Sequence, residues 1–192
     1  HFNAIDYNED LDQIALSSRH NSEIYIIDHS TTSEEAAGHF GGNSNRGGDF
    51  LYRWGNPQAY DQGNFFNQKL DSQHGVNWIP EGYPGEGNLL LFNNFYNADW
   101  NSAVYELVLP LNSDGTYDIN LDGTYEPEGP VWMIAGGFFS WIQSGAFRLP
   151  NGNTLITVAT AARIFEVEES LNIVWDYDFD GGQMIARAQK YP

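Results

Sequence analysis

The stretch GNLLLFNN (87–94), followed at a short interval by AVYELVLP (103–110), decides the fold. Each is a brief apolar run bounded by Gly, Asn or Pro, the pattern of a strand between turns rather than of a helix. The same pairing occurs twice more. DQIALSS (12–18) precedes EIYIIDHS (23–30), and GNTLITVAT (152–160) precedes RIFEVEES (163–170). Upstream of each pair lies another strand candidate, FNAIDYN (2–8), GVNWIP (75–80) and GAFRLP (145–150). Downstream lies a strand carrying a tryptophan: FLYRWGN (50–56), VWMIAG (131–136) and NIVWDYDF (172–179).

The chain therefore reads as all-β, with three four-stranded meanders near 1–57, 73–136 and 143–180. Recurring meanders of this kind are the signature of propeller blades, with the surplus residues in loops at 31–49, 58–72 and 111–130. No segment carries a sustained 3.6-residue apolar stripe; TTSEEAAGH (31–39) allows one helical turn. Three blades do not close a ring. The reading is of a partial propeller over 1–192, completed by sequence or a chain beyond it, with MIARAQKYP (184–192) leading away from the last blade. Trp54, Trp132 and Trp175 occupy equivalent strand positions and are expected in the core.

Composition narrows the partners. Eight Lys and Arg face 26 Asp and Glu, a formal charge of -18, so no basic stripe exists to replace the counterions of a nucleic acid. No apolar run is long enough to span a membrane. Without cysteine there is neither disulfide nor thiolate chemistry. Such a surface suits a soluble, secreted or salt-adapted protein. No cofactor is expected. Structural calcium is weakly suggested by Asn112, Asp114, Asp118 and Asp122, whose intervening glycine is misplaced for the twelve-residue calcium loop.

In a propeller the first strand of each blade lines a central channel. Aligning the blades by their turns, IPEG (79–82) against LPNG (149–152), puts His74 opposite Ser144, with His1 at the corresponding place. The second strands end at Arg19, at Asn93 and Asn94, and at Val158 and Ala159. Two imidazoles offer a nucleophile and an acid–base partner, and a guanidinium offers a planar fork for a tetrahedral oxyanion. Asn3 is expected to add an amide donor. His74, His1 and Arg19 are the catalytic candidates; Asn3, Ser144 and Asn94 are the substrate-binding ones.

The chain also resembles the bacterial arylsulfate sulfotransferase family. The likeness rests on H-x-N at 1–3 with LSSRH (16–20), on IYIIDHSTT (24–32), LYRWGNPQAY (51–60) and QHGVNWIPEG (73–82), and on GEGNLLLFNN (85–94), SGAFRLPNGNTLI (144–156) and the closing ARAQKYP. This resemblance implies a six-bladed, secreted or periplasmic propeller. It implies transfer of a sulfuryl group from a phenolic sulfate donor to a phenol acceptor through a sulfated histidine. By motif His74 matches the nucleophile, His1 and Arg19 the groups gripping sulfate oxygens with Asn3 beside them, and Ser144 or Ser140 a hydroxyl donor. It also implies that three blades alone are inactive. The competing expectation is a non-catalytic extracellular propeller acting as a binding or structural module.

Overall fold

The computed structural model describes residues 1–191. It contains twelve strands in three antiparallel sheets, each a simple meander. The first holds β1 (Phe2–Asn8), β2 (Gln13–Ser18), β3 (Glu23–Asp28) and β4 (Tyr52–Trp54). The second holds β5 (His74–Trp78), β6 (Leu89–Asn97), β7 (Asn101–Leu107) and β8 (Trp132–Ala135). The third holds β9 (Gly145–Arg148), β10 (Thr154–Val158), β11 (Arg163–Val167) and β12 (Ile173–Asp178). β1 and β2 pack against β5, and β5 and β6 against β9, so the sheets stand side by side along their first strands. This is a partial, propeller-like arrangement. Among the described residues no helix is long and apolar enough to cross a membrane.

Strand alternation explains the packing. Leu89 and Leu91 of β6, with Ala103, Tyr105 and Leu107 of β7, face the first sheet and meet Ile24, Ile26, Tyr52 and Trp54. Leu90, Phe92 and Val104 face the third sheet and meet Ile156, Val158, Phe165 and Val167. A continuous LLLF run is what a strand buried on both faces requires, whereas the flanking sheets are covered less evenly, with β3 and β10 largely buried but β12 exposed throughout. The β6–β7 hairpin runs further than expected, to Asn97 and from Asn101. Its tip is polar and aromatic, so hydropathy alternation stops before the hydrogen-bonded ladder does. The expected turn at 31–39 forms as the short helix α1 (Ser33–Ala36), closed by a capping box between Thr32 and Glu35.

Two expectations are corrected. Trp54 is core, but Trp132 is only partly buried, donating Nε1–H to the Glu169 carbonyl. Trp175 is 47% exposed and stacks on Tyr177, because β12 is the outermost strand of its sheet and no further sheet covers it among the described residues. The closing segment does not lead away. It folds back over the start of the third sheet, where Ile185 N–H donates to Ala159, Ser144 N–H to Ala186, and Ala188 N–H to Thr157 Oγ1.

The loop over 111–130 ties the second sheet to the first. It carries a tandem octapeptide, LNSDGTYD then INLDGTYE, and each copy closes a turn in the same way. Asp114 accepts from the N–H and hydroxyl of Thr116, and Asp122 from those of Thr124. Asn112 donates to Asp118. The side chains that suggested calcium are thus engaged in these turns. Each repeat delivers a tyrosine to Tyr52, with ring centroids 5.0 Å away for Tyr117 and 5.4 Å for Tyr125. Tyr117 also donates to Gln13, while Tyr52 and Trp54 donate to the Glu126 and Pro127 carbonyls.

Candidate functional site

The sheets meet where the first strands begin, and the first strand there carries a bulge in two of them. In β1 the register slips between Phe2 and Ala4, at Asn3; in β5 it slips between His74 and Asn77. Bulges redirect side chains and terminate pairing, and here each sits beside a candidate residue. At the second bulge the chain also needs glycine. Gly75 has φ +67°, and a Cβ there would stand 3.0 Å from the Gly145 Cα and 3.1 Å from the Ser144 carbonyl oxygen. The close approach brings the His74 and Ser144 turns into contact.

His74 is buried, and its ring orientation is dictated by its neighbours. Nδ1 lies 2.8 Å from Asn94 Oδ1 and 3.0 Å from the Ser72 carbonyl. Asn94 is oriented in turn, because its Nδ2 donates to the carbonyls of Ser140 and Gln143 at 2.9 and 3.1 Å. Its Oδ1 must therefore face His74 as an acceptor. With two acceptors against it, Nδ1 carries the proton, and in the neutral ring Nε2 keeps the lone pair. Nε2 has no protein partner among the described residues. Burial holds the His74 pKa below its ordinary value; the Asn94 and Ser72 acceptors oppose this, and the nearby Arg19 charge reinforces it.

Arg19 follows β2 and is held by its backbone N–H donating to the His1 carbonyl. Its guanidinium makes no hydrogen bond or ion pair to any described side chain, and its Nε is buried without a partner. The other arginines in the sheets differ. Arg53 pairs with Glu23, Arg148 with Glu106 and Arg163 with Asp176. Arg19 is a half-buried cation without a side-chain partner among the described residues, in a chain with a formal charge of -18. Arg19 and His74 thus present, at one end of the first two sheets, an unpaired guanidinium and a neutral imidazole with one free lone pair.

The remaining candidates divide. Asn3 was expected to donate to substrate; instead its Nδ2 donates to the Gln73 carbonyl at 2.8 Å, and its Oδ1 is buried without a partner. It braces the residue before His74. Asn94 has no exposed surface, and its amide is committed to His74 and two carbonyls, so it orients the imidazole rather than meeting a ligand. Ser144 Oγ accepts from the Ala159 N–H, which leaves its proton available. Ser140 is more fully used, donating to Ile142 and accepting from Thr160. His1 is exposed, and its ring packs edge-on to that of His20 at 5.5 Å.

Gln73 was missed as a functional residue. It is wholly buried, and its Nε2 donates to Ser17 Oγ and to the Ser18 and Glu23 carbonyls. It staples the His74 turn to the first sheet, and so fixes the distance between Arg19 and His74. Its partners lie about fifty residues away in sequence, beyond any local motif.

Residues 1–177 match the family model described as Arylsulfotransferase (ASST). No curated protein matches the chain. Among solved structures, it is similar to a protein of unknown function from Bacteroides caccae, at 12% identity over 94% of this chain and 47% of that one, with a TM-score of 0.48. Virginiamycin B lyase from Staphylococcus aureus aligns at 10% identity over 94% of this chain and 42% of its own, with a TM-score of 0.42. A catalytically inactive form of that lyase with quinupristin aligns at 11% identity over 93% and 56%, with a TM-score of 0.38. The chain spans about half the length of these proteins.

Proposed function

Since the chain belongs to the arylsulfotransferase family, we propose that it contributes the reacting half of a site that moves a sulfuryl group between phenolic compounds through a histidine intermediate. The observation that carries the reading is the tautomer lock on His74 beside the unpaired Arg19. In this reading Nε2 attacks the sulfur of an aryl sulfate. The N–S bond forms as the ester S–O bond breaks, and the phenolate leaves with the electron pair and is protonated from solvent. An acceptor phenol then attacks the same sulfur and gives up its proton to solvent, while the N–S electron pair returns to Nε2.

The chain's own groups serve both steps. A ring sulfated at Nε2 and protonated at Nδ1 is cationic, and Asn94 Oδ1 with the Ser72 carbonyl stabilises that charge. Arg19 faces the sulfate oxygens, where fixed donors lower the barrier as charge develops. His1 supplies a second imidazole at the mouth, and the Ser144 turn packs against the one that carries His74. The remaining blades of a six-bladed, secreted or periplasmic ring lie beyond residues 1–192 in this reading. The test is a sulfate-donor pulse on the complete polypeptide, quenched and read by mass spectrometry. A sulfohistidine at His74 that is discharged by added phenol is expected and should be absent from His74→Ala. Turnover surviving in His74→Ala overturns the assignment of the nucleophile, and a wild-type protein that binds a partner without any turnover or sulfohistidine leaves a binding module in its place.

A further inference from the structure

A second feature opens at the same end of the molecule as His74. The loop over 55–73, which feeds β5, and the tip of the β6–β7 hairpin enclose a cleft of about 570 Å³. Phe65, Phe66, Phe95, Tyr96 and Trp100 line it. Three of these rings are far more exposed than their chemistry favours: Phe66 at 91%, Phe65 at 72% and Trp100 at 67%.

Their exposure is built in. Phe65 and Phe66 sit on a 3-10 turn closed by a capping box, in which Asn64 Oδ1 accepts from the Phe66 N–H and Asn67 Oδ1 from the Asn64 N–H. Across the cleft, Phe95, Trp100 and Phe139 meet edge to face, with centroids 5.4–6.1 Å apart and planes inclined by 61–82°. Edge-to-face clusters hold rings rigidly and leave flat faces free for another ring. The cleft also lies where both neighbouring sheets are present. The exposed apolar residues of the flanking sheets are elsewhere, at Ile5 and Tyr7 of β1 and at Val174 and Trp175 of β12.

The cleft is joined to the His74 turn. Asp71 lines it, and the Asp71 backbone is held on both sides, its N–H donating to Asn93 Oδ1 and its carbonyl accepting from the Phe95 N–H. The next residue, Ser72, supplies a carbonyl to His74. Phe139, which touches the lining rings Phe95 and Trp100, precedes Ser140, whose carbonyl holds Asn94.

We propose that this cleft is an aryl-binding site beside the reacting histidine, and that it takes the ring system of multi-ring phenolic substrates. The choice of a phenolic ligand rests on the sulfuryl-transfer reading; the presence of an aromatic site does not. Pockets of about 300–1,000 Å³ suit ligands of several rings, so a single phenol leaves most of this one unfilled.

Trp100 provides the readout. In the full-length protein, 2-naphthol should quench its fluorescence saturably, and should do so equally in His74→Ala. Phenol should bind more weakly. Phe66→Ser, at a site too exposed to affect folding, should weaken naphthol binding about three- to tenfold. Trp100→Phe should remove the quench while calorimetry still records binding. The proposal is overturned if no quench depends on Trp100, or if Phe66→Ser binds naphthol normally. It is also overturned if the patch drives self-association that Phe66→Ser abolishes. Naphthol binding without any sulfohistidine would reject the sulfuryl-transfer reading and keep the aromatic site. Sulfohistidine chemistry with no preference for larger rings would do the reverse.

Discussion

The turns that open β5 and β9 begin alike, Gln73-His74-Gly75 against Gln143-Ser144-Gly145, yet their polar groups are used differently. At the first, a buried glutamine staples the turn to the preceding sheet through three acceptors, and a side-chain amide from the end of β6 fixes the imidazole tautomer. At the second, Gln143 contributes its carbonyl to Asn94, and the Ser144 hydroxyl is held by a backbone N–H from the residue following β10. The equivalent positions are Asn94 and Ala159. One turn directs an unsatisfied nitrogen outward from a rigid frame, and the other helps build that frame. Equivalent places in a repeated meander therefore do not carry equivalent chemistry, and what separates them is the residue on the neighbouring strand.

The strongest way to sharpen that contrast is to remove the cation whose charge is felt at His74. Arg19→Gln should reduce kcat by about 10²–10³-fold, the usual cost of losing a fixed donor to developing oxyanion charge. Stability should change little, because no described side chain pairs with Arg19. The measurement is steady-state transfer alongside a thermal melt. An unchanged kcat would mean that the guanidinium faces no reacting group.

Next is the tautomer lock. Asn94→Ala should lower kcat about ten- to a hundredfold, as loss of an orienting partner does elsewhere. It should also destabilise the fold by about 1–3 kcal/mol, because the partners of a buried amide lose their hydrogen bonds. The pH profile separates the two variants. Burial places the His74 pKa below 6.5, so the wild-type acid limb should lie below that value. Arg19 lowers this pKa and Asn94 raises it, so Arg19→Gln should move the limb up and Asn94→Ala should move it down. Stability follows the same sign. Above about pH 6.5 the imidazole is neutral in both states. As pH falls from there toward the lower folded value the unfolded chain takes up the proton first, and the fold loses stability across that window.

How much of this was legible in the sequence depends on the range of the interactions. The strands were, because alternation is local, whereas the burial of β6 on both faces emerged only from the packing. The polar hairpin tip at Asn97–Asn101 was not, since its ladder continues without any hydropathy signal. His74 and Arg19 stood out through their aligned turns. The roles of Asn3, Asn94 and Gln73 did not, because each is defined by carbonyls or side chains that only tertiary packing brings near. Trp175 was misread for a related reason. Equivalent strand position predicts burial only if a neighbouring sheet covers the strand, and β12 has none among the described residues.

The smallest expected effect tests the other side of the comparison. If the second turn is framework, Ser144→Ala should remove one acceptor for the Ala159 N–H and cost about 1 kcal/mol of stability. Its effect on kcat should stay within about tenfold, and the pH limb set by His74 should not move. The substitution is otherwise mild, because alanine keeps the buried volume and the Ser144 N–H still donates to Ala186. A loss as large as that of Arg19→Gln, with the melt unchanged, would give the hydroxyl proton a direct role at the sulfate. The two turns would then be partners in one site, and the approach of Gly75 to Gly145 would serve to bring two reacting groups together rather than to pack one turn against the other.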